Sequence, residues 1–438
     1  MIKKLFSSQF RRNISSGVFT NGVNFLITMA SYPVYLHYLG YEKYGIWLVL
    51  TAVLTLAQLG NLGIGQAVTK FVAEHHVRGE TAAINKYVTT ANLTLCISGI
   101  IVLVLILGLR IQIIGLFKLN PSNASLAMWL LPYVGVLSLY IFIVRTVGAT
   151  LSGLGRIDLW NYSSAASRVI AVASSAALLY AGGGVESLLI AYFLSEAMSH
   201  VFYIVVIRKI IRIRYWHIKD FDKQSLKNMI GLGSALMGGT LLNMLVTPFN
   251  KVMISRFIGV GSIPLYEIAY NAAMYIRNLV ASGLGALTPE ISALAGSSNI
   301  DVIRIRHIYN KSMKMIVFWG IPLFIVIYAL ATPLLELWLR QRYNSLLPMA
   351  FRIMLVGSFL SLLGIPAYYT IIGLGRSGKI FLTHIILSGT NILFVCIIVF
   401  IASLSVNSLA VASLMGMGLS SVYLIWQFRV IVDSNMKD

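Results

Sequence analysis

Long apolar stretches that contain no charged residue recur along the whole chain. Asn13 to Tyr41, Tyr44 to Thr69, Leu119 to Val144 and Met315 to Leu335 are examples, and each is near or above the roughly 20 residues with which a helix crosses a bilayer. The charge-free run from Ile380 to Phe428 is about twice one crossing, with polar residues near its middle where a turn would fall. The pattern predicts membrane-spanning helices throughout.

Twelve spans account for the pattern, each bounded to within about four residues. In the first half they are 14–38, 44–70, 87–109, 124–150, 157–181 and 185–207. In the second half they are 228–256, 263–291, 311–335, 347–372, 379–402 and 406–430. Because the number of spans is even, both chain ends are expected on the same side of the membrane.

Lys and Arg are unevenly distributed between the two sets of loops. The set that includes both chain ends carries most of them, among them the cluster from Arg208 to Lys227, whereas the opposite loops hold only Lys43, Arg110, Lys118, Arg256, Arg340 and Arg342. Short cytoplasmic loops are enriched in basic residues, so both termini are predicted to be cytoplasmic. The same bias accounts for the net charge of +20 without nucleic acid as a partner.

Composition agrees with a membrane environment. Hydrophobic residues make up 58% of the chain and charged residues 11%, whereas soluble domains carry roughly 25% charged residues. Cys96 and Cys396 lie far apart, with no Cys-x-x-Cys and no His cluster, so neither a disulfide framework nor a metal site or other cofactor is predicted. The fold class predicted is an all-α polytopic membrane protein rather than a soluble enzyme.

The two halves resemble each other at an offset of about 220 residues, the kind of internal repeat that defines an architecture. Ser152 to Arg156 recurs as Ile372 to Arg376 after the fourth span of each half, and Pro33 and Pro248 lie late in the first and seventh spans. We therefore predict an N-terminal six-helix lobe, a basic cytoplasmic linker and a C-terminal six-helix lobe: 1–207, 208–227 and 228–438.

Six helices per half give both lobes the same orientation, related by a pseudo-two-fold axis along the membrane normal. Two lobes that meet at a central cleft are what alternating access requires. The architecture therefore predicts a transporter with a site near the middle of the bilayer and no catalytic residues.

Five basic residues fall inside the predicted spans: Arg145, Arg168, Lys251, Arg277 and Arg352. A charge at the bilayer centre costs about 2.5 to 3.5 kcal/mol, so such residues usually face a cavity. Arg145 and Arg352 lie near helix ends and are equally explained by reaching to the interface, and a structural ion pair is the alternative for Arg277. A cationic cleft predicts a cargo that carries phosphate or carboxylate.

Polar residues at helical spacing accompany these cations and are expected to line the cleft. The amides among them are Asn24, Asn161, Asn243, Asn271 and Asn278. Glu196, with His200 one turn away, and Glu267 are the acidic candidates. An intramembrane carboxylate beside a histidine can carry a proton, so coupling to an H⁺ or Na⁺ gradient is one interpretation; a hydrogen-bonded packing element is the other.

Several short motifs resemble one family. Leu39-Gly-Tyr-Glu-Lys-Tyr-Gly45 is similar to a Leu-Gly-x-x-x-Tyr-Gly opening, and Gly60 to Gly63, Leu287 to Ser292 and the two Gly-Leu-Gly-Arg loops fit the same pattern. The family is that of the polysaccharide repeat-unit flippases (O-antigen and capsule type) in the multidrug/oligosaccharidyl-lipid/polysaccharide (MOP) exporter superfamily, whose members have a MATE-like fold. Asn61 stands where many members carry Asp, which leaves the substrate open.

The resemblance implies translocation of an undecaprenyl-pyrophosphate-linked oligosaccharide from the cytoplasmic to the outer leaflet of a bacterial inner membrane, with Arg168 and Arg277 meeting the pyrophosphate. Its implied partners are this cargo, membrane lipids and other membrane proteins of polysaccharide assembly. A drug/cation antiporter of the same superfamily, which needs an acidic cavity, is the first alternative. A membrane-embedded polymerase or ligase is the second, but it needs a large outer loop, and the longest hydrophilic loop is 208–227.

Overall fold

The computed structural model describes residues 8–434, apart from 62, 212, 214–215, 283, 285–286 and 296–301. Within this part of the chain the secondary structure is helical and no β-strand occurs. The helices up to the predicted linker are α1 (Ser8–Ala57), α2 (Ile64–Val77), α3 (Thr81–Gly108), α4 (Arg110–Leu116), α5 (Pro121–Gly153), α6 (Ile157–Tyr180) and α7 (Glu186–Ile210).

The remaining helices begin at the linker and continue to the end of the described chain. They are α8 (Lys223–Phe257), α9 (Ile263–Ala281), α10 (Leu287–Ala295), α11 (Val302–Met315), α12 (Ile321–Ala329), α13 (Ala331–Leu339), α14 (Leu347–Leu363), α15 (Ile365–Gly373), α16 (Ser377–Ile401) and α17 (Val406–Ser434). Proline at the first or second position starts α5, α9, α12, α14 and α15, where a missing backbone N–H costs no helical hydrogen bond.

Each of the twelve predicted spans corresponds to helix in the structure, which confirms the all-α polytopic fold class. Eight helical stretches in the described residues are long and apolar enough to cross a membrane, and one of them, Ser15–Asn61, overlaps two predicted spans. The three predicted spans outside these eight correspond to α6, α8 and α9. These are the helices on which the sequence places Arg168, Lys251 and Arg277.

Helix breaks occur both between and within the predicted spans. Gly40, with φ 67° and ψ 179°, divides α1 into two helical segments. The ninth span begins at Val302 rather than 311, passes through a π-helical turn at Ile316–Gly320 and breaks at Leu330. A search for charge-free apolar stretches does not detect the helix start at Val302. The reason is that α11 is amphipathic, with Ile305 buried and Lys311 exposed.

The chain divides into two compact units, which we call unit 1 (Met1–Gly238) and unit 2 (Gly239–Asp438). The first turns of α8 pack in unit 1, where Met229 belongs to the buried core. The Asn228 amide nitrogen donates to the Tyr87 hydroxyl at 3.1 Å, and the Asp222 backbone N–H donates to Thr90 Oγ1 at 3.0 Å. The predicted boundaries at 207 and 228 stay a prediction.

The sequence repeat is also a repeat of backbone geometry. Gly155 and Gly375 both have positive φ, 80° and 72°. In each loop the glycine N–H and the following arginine N–H donate to carbonyls of the preceding helix, in the pattern of a Schellman motif. Gly153 and Gly373, just before, approach Thr69 and Thr288 closely. The two copies therefore end their fourth span against the second span in the same way.

Candidate functional site

Unit 2 encloses a cavity of about 410 Å³. Its walls come from α8, α9, α14, α15, α16 and α17, so it lies among the helices of a single unit. The polar and charged residues that line it are Asn243, Thr247, Tyr270, Arg277, Ser361, Tyr368, Tyr369, Thr383, His384, Asn391, Ser413, Ser420 and Ser421. Among the lining residues that the structure describes there is no Asp or Glu.

Arg277 supplies the positive charge of this cavity. Its Nη1 donates to the Asn278 side-chain oxygen at 2.9 Å, while its Nε is buried and has no hydrogen-bond partner among the residues that the structure describes. Tyr270, Tyr368 and Tyr369 are its electrostatic neighbours. A buried N–H without a partner costs free energy, so an anionic acceptor in the cavity would satisfy the guanidinium.

A hydrogen-bonded wall faces the same cavity from α8 and α16. The Asn243 side-chain nitrogen bonds His384 Nδ1, and the Asn243 oxygen accepts from Ser388 Oγ at 3.2 Å. The amide of Asn391 donates to Ser413 Oγ at 3.1 Å. The structure thus places Asn243 at the cavity and gives His384 a hydrogen-bond partner on α8.

Lys251 and Glu267 form a buried ion pair instead of lining the cavity. Lys251 Nζ lies 3.2 Å from Glu267 Oε2, and their side chains are 4% and 16% exposed. The Asn271 amide donates to the other carboxylate oxygen at 3.3 Å. A structural ion pair was the alternative role predicted for Arg277. In the described part of unit 2, it is Lys251 that forms such a pair.

In unit 1 the predicted polar stripes of α1 and α6 contact each other. The Asn161 amide donates to Ser16 Oγ at 3.0 Å, and Thr20 Oγ1 donates to the Asn161 carbonyl at 3.0 Å. Arg168 Nη2 lies 3.4 Å from Thr28 Oγ1, and Arg168 remains exposed. The Asn24 side-chain oxygen is buried and has no hydrogen-bond partner among the described residues. Asn161 therefore holds two helices together.

The acidic candidate of unit 1 lies in a second polar cluster. Half-buried Glu196 on α7 has Arg145 on α5 as an electrostatic neighbour. His200 Nδ1 lies 3.1 Å from the Tyr140 hydroxyl. Sequence spacing paired His200 with Glu196, whereas the structure gives His200 a hydrogen bond across to α5.

Arg352 lies apart from the cavity. Its Nε donates to the Tyr328 carbonyl at 3.1 Å and its Nη2 to Thr332 Oγ1 at 3.2 Å. In the described residues it therefore connects α14 to the end of α12 and the start of α13.

Sequence reasoning missed Tyr368 and Tyr369, which line the cavity beside Arg277. Charged and amide residues at helical spacing form polar stripes, and two adjacent tyrosines do not form such a stripe. The available signal was Gly364-Ile-Pro366, a helix restart immediately before them inside an otherwise apolar span.

Comparison with known proteins places the chain in a family. Residues 10–295 match a family model described as polysaccharide biosynthesis protein. A protein of Shigella flexneri named as an O-antigen transporter is 19% identical over 378 residues, which are 85% of this chain and 87% of that protein.

Solved structures agree on the fold. An inward-facing multidrug resistance MATE family transporter of the MOP superfamily has a TM-score of 0.75 at 17% identity, with 99% of this chain and 97% of the other covered. The lipid II flippase MurJ, in an inward closed conformation, has a TM-score of 0.74 at 15% identity, with 94% and 86% covered. The chain therefore belongs to the polysaccharide biosynthesis protein family, is a multi-pass membrane protein and has the fold of these solved structures.

Proposed function

We propose that this protein is a flippase that moves an undecaprenyl-pyrophosphate-linked oligosaccharide from the cytoplasmic to the outer leaflet of a bacterial inner membrane. The family match and the similarity to an O-antigen transporter support the polysaccharide pathway. No bond is made or broken in such a step. Transport is a population shift between inward-open and outward-open states, each of which binds the headgroup from its own side.

One observation supports an anionic cargo most directly. The cavity of unit 2 contains a guanidinium whose buried Nε has no hydrogen-bond partner in the described part of the chain, and the described lining carries no carboxylate. Arginine presents paired N–H groups that match phosphate oxygens. A drug/cation antiporter needs the opposite polarity, so the lining favours phosphate. Arg168, exposed on α6, is the second candidate contact.

Coupling to an ion gradient completes the proposal, with Glu196 as the proton carrier. Its carboxyl is half-buried, and a cation, Arg145, lies close enough to interact. Glu267 is less suited because Lys251 already neutralises it. Both termini lie in the cytoplasm in this proposal, and the partners are the lipid-linked cargo, bilayer lipids and other membrane proteins of polysaccharide assembly.

The test is leaflet-resolved transport of a lipid-linked oligosaccharide in proteoliposomes. Arg277→Ala removes charge-assisted hydrogen bonds, each typically about 1.5 to 3 kcal/mol, so we expect initial transport to fall at least about tenfold. Arg168→Ala is tested alongside it. Arg110→Gln, which removes an exposed positive charge from α4, is the control and should transport like the wild type. Undiminished transport by both Arg277→Ala and Arg168→Ala at equal protein levels would remove the pyrophosphate-site proposal.

A further inference from the structure

Unit 2 carries a second concavity, an apolar groove of about 290 Å³ between α12 and α14. From α12 come residues at i, i+3, i+4 and i+7, which share one face of the helix, and from α14 come three residues at i, i+1 and i+4. The groove residues are Ile321, Phe324, Ile325 and Tyr328 from α12 and Leu355, Val356 and Phe359 from α14. None of them lines the Arg277 cavity, so the groove is a separate site.

Arg352 marks one end of the groove. It lies on α14 three residues before Leu355, next to the groove lining, and its guanidinium carbon is 5.6 Å from the centre of the Tyr328 ring. At the other end the rings of Phe324 and Phe359 are 5.2 Å apart. The two faces therefore run antiparallel for about seven residues, roughly 10 Å at 1.5 Å per residue. That length is about two thirds of one leaflet of a bilayer.

The groove is open along its outer side. Phe324 and Leu355 form its floor, at 6% and 1% exposure, whereas Ile325 on the rim is 62% exposed. Val356 and Tyr328 on the rim are 42% and 44% exposed. In a membrane protein, such an apolar surface is solvated by hydrocarbon, so its natural occupant is a chain of the same chemistry.

No carboxylate of the described residues neutralises the charge at the groove end. The hydrogen bonds of Arg352 go to a carbonyl and a hydroxyl, both neutral. Among the described residues no carboxylate forms an ion pair with it. These bonds use Nε and Nη2, which leaves Nη1 able to donate. A guanidinium beside apolar surface at membrane depth is stabilised when an anion lies next to it.

We propose that this groove binds an anionic glycerophospholipid, with its phosphate on Arg352 and one acyl chain between α12 and α14. The site is distinct from the proposed cargo site, and it requires only the chemistry that the groove presents: one anionic group followed directly by hydrocarbon. The lipid phosphate would supply a countercharge, which none of the described carboxylates supplies, and the acyl chain would fill the space between the two helices.

The experiment measures lipid binding to the full-length purified protein by native mass spectrometry. Phosphatidylglycerol is compared with phosphatidylcholine of identical acyl chains. We expect the wild type to bind phosphatidylglycerol at least about tenfold more tightly, the effect of one charge-assisted contact. Arg352→Gln should bring the two affinities close together. Arg340→Gln, an exposed cation nearby in sequence, is the matched control and should keep the preference.

A second variant tests the groove without touching the arginine. Val356→Trp fills the groove from its rim and should weaken binding of both lipids several-fold while the preference for phosphatidylglycerol remains. An unchanged preference in Arg352→Gln, or equal losses in Arg352→Gln and Arg340→Gln, would overturn the proposal. Full binding by Val356→Trp would do so too, as would displacement of phosphatidylglycerol by an equimolar polyprenyl phosphate, which would assign the groove to the cargo tail. Transport of the cargo is not the readout, so failure here leaves the proposed function standing.

Discussion

Arg277 and Lys251 lie on neighbouring helices of unit 2, and the sequence assigns both to the interior of the membrane. Their environments nevertheless differ. Lys251 lies 3.2 Å from the Glu267 carboxylate. Arg277 bonds the neutral side chain of Asn278, and its Nε has no hydrogen-bond partner among the described residues. Helical spacing predicts which residues share a face of one helix, but not which residue of the next helix lies opposite. The sequence could therefore identify both cations as intramembrane residues. It could not show that Lys251 is paired with a carboxylate whereas Arg277 can bind an anion in the cavity.

The buried pair leads to a stability prediction. Lys251→Met leaves Glu267 buried without its countercharge, so we expect the free energy of unfolding to fall by about 3 to 5 kcal/mol. The double variant Lys251→Met/Glu267→Leu replaces both charges by apolar groups and should recover most of that loss. Chemical or thermal unfolding in detergent measures both. A double variant as unstable as the single one would show that the charge pair is not the cause.

At the scale of helices, the apolar pattern located every span and missed several interruptions. Gly40 lies between the predicted ends at 38 and 44, so that break was visible as a glycine in a polar gap. The break at Leu330 was not, because Ala329, Leu330 and Ala331 are all compatible with a helix and tertiary packing decides the geometry there. The polar stripes of α1 and α6 were correctly placed on their helices, but whether two stripes face each other or a cavity depends on helix rotation.

Gly63 provides a test of one helix junction. It has φ 71°, and a Cβ built on it would lie 2.4 Å from the Gly233 carbonyl oxygen. Gly79 also has φ 71° but nothing within 4 Å of such a Cβ. Gly79→Ala should therefore cost only the left-handed strain, about 1 to 2 kcal/mol. Gly63→Ala should cost about 1 to 3 kcal/mol more because of overpacking.

Thermal unfolding of the two alanine variants in the same detergent checks the difference. Equal losses of stability in the two variants would mean that the backbone at Gly233 moves away from the added methyl group at no cost. The close contact at Gly63 would then impose no steric constraint.

At the scale of the whole molecule, the sequence revealed the internal repeat through its loops. The Gly-Leu-Gly-Arg loops require glycine at a positive φ in both copies, whereas one apolar residue can replace another within a membrane-spanning helix. The two copies are not equivalent in their charges. In unit 1 Arg156 forms two hydrogen bonds of 3.0 Å with the carboxylate of Asp158, whereas the residue two after Arg376 is Gly378. The apolar groove lies beyond what the sequence could predict, since its two faces come from helices whose pairing only the fold reveals.

The proposed coupling of transport to a proton gradient can be tested on the full-length protein. Glu196→Gln keeps the size of the side chain and removes its ability to exchange a proton, so an imposed proton gradient should no longer accelerate lipid-linked oligosaccharide transport. Glu336→Gln, at an exposed position, is the control and should keep its response. Proteoliposomes with and without the gradient give the ratio. A full response in Glu196→Gln would exclude Glu196 as the coupling group.

The packing of α8 against unit 1 sets an order for biogenesis. Met229, Asn228 and Gly233 complete contacts with helices that precede them by well over a hundred residues, yet the ribosome makes them only after all six spans of the first half. A nascent chain that ends at the linker therefore contains the helices of the first half, but it lacks the residues of α8 that complete their core. The core of unit 1 can therefore be complete only after the start of α8 has been synthesised.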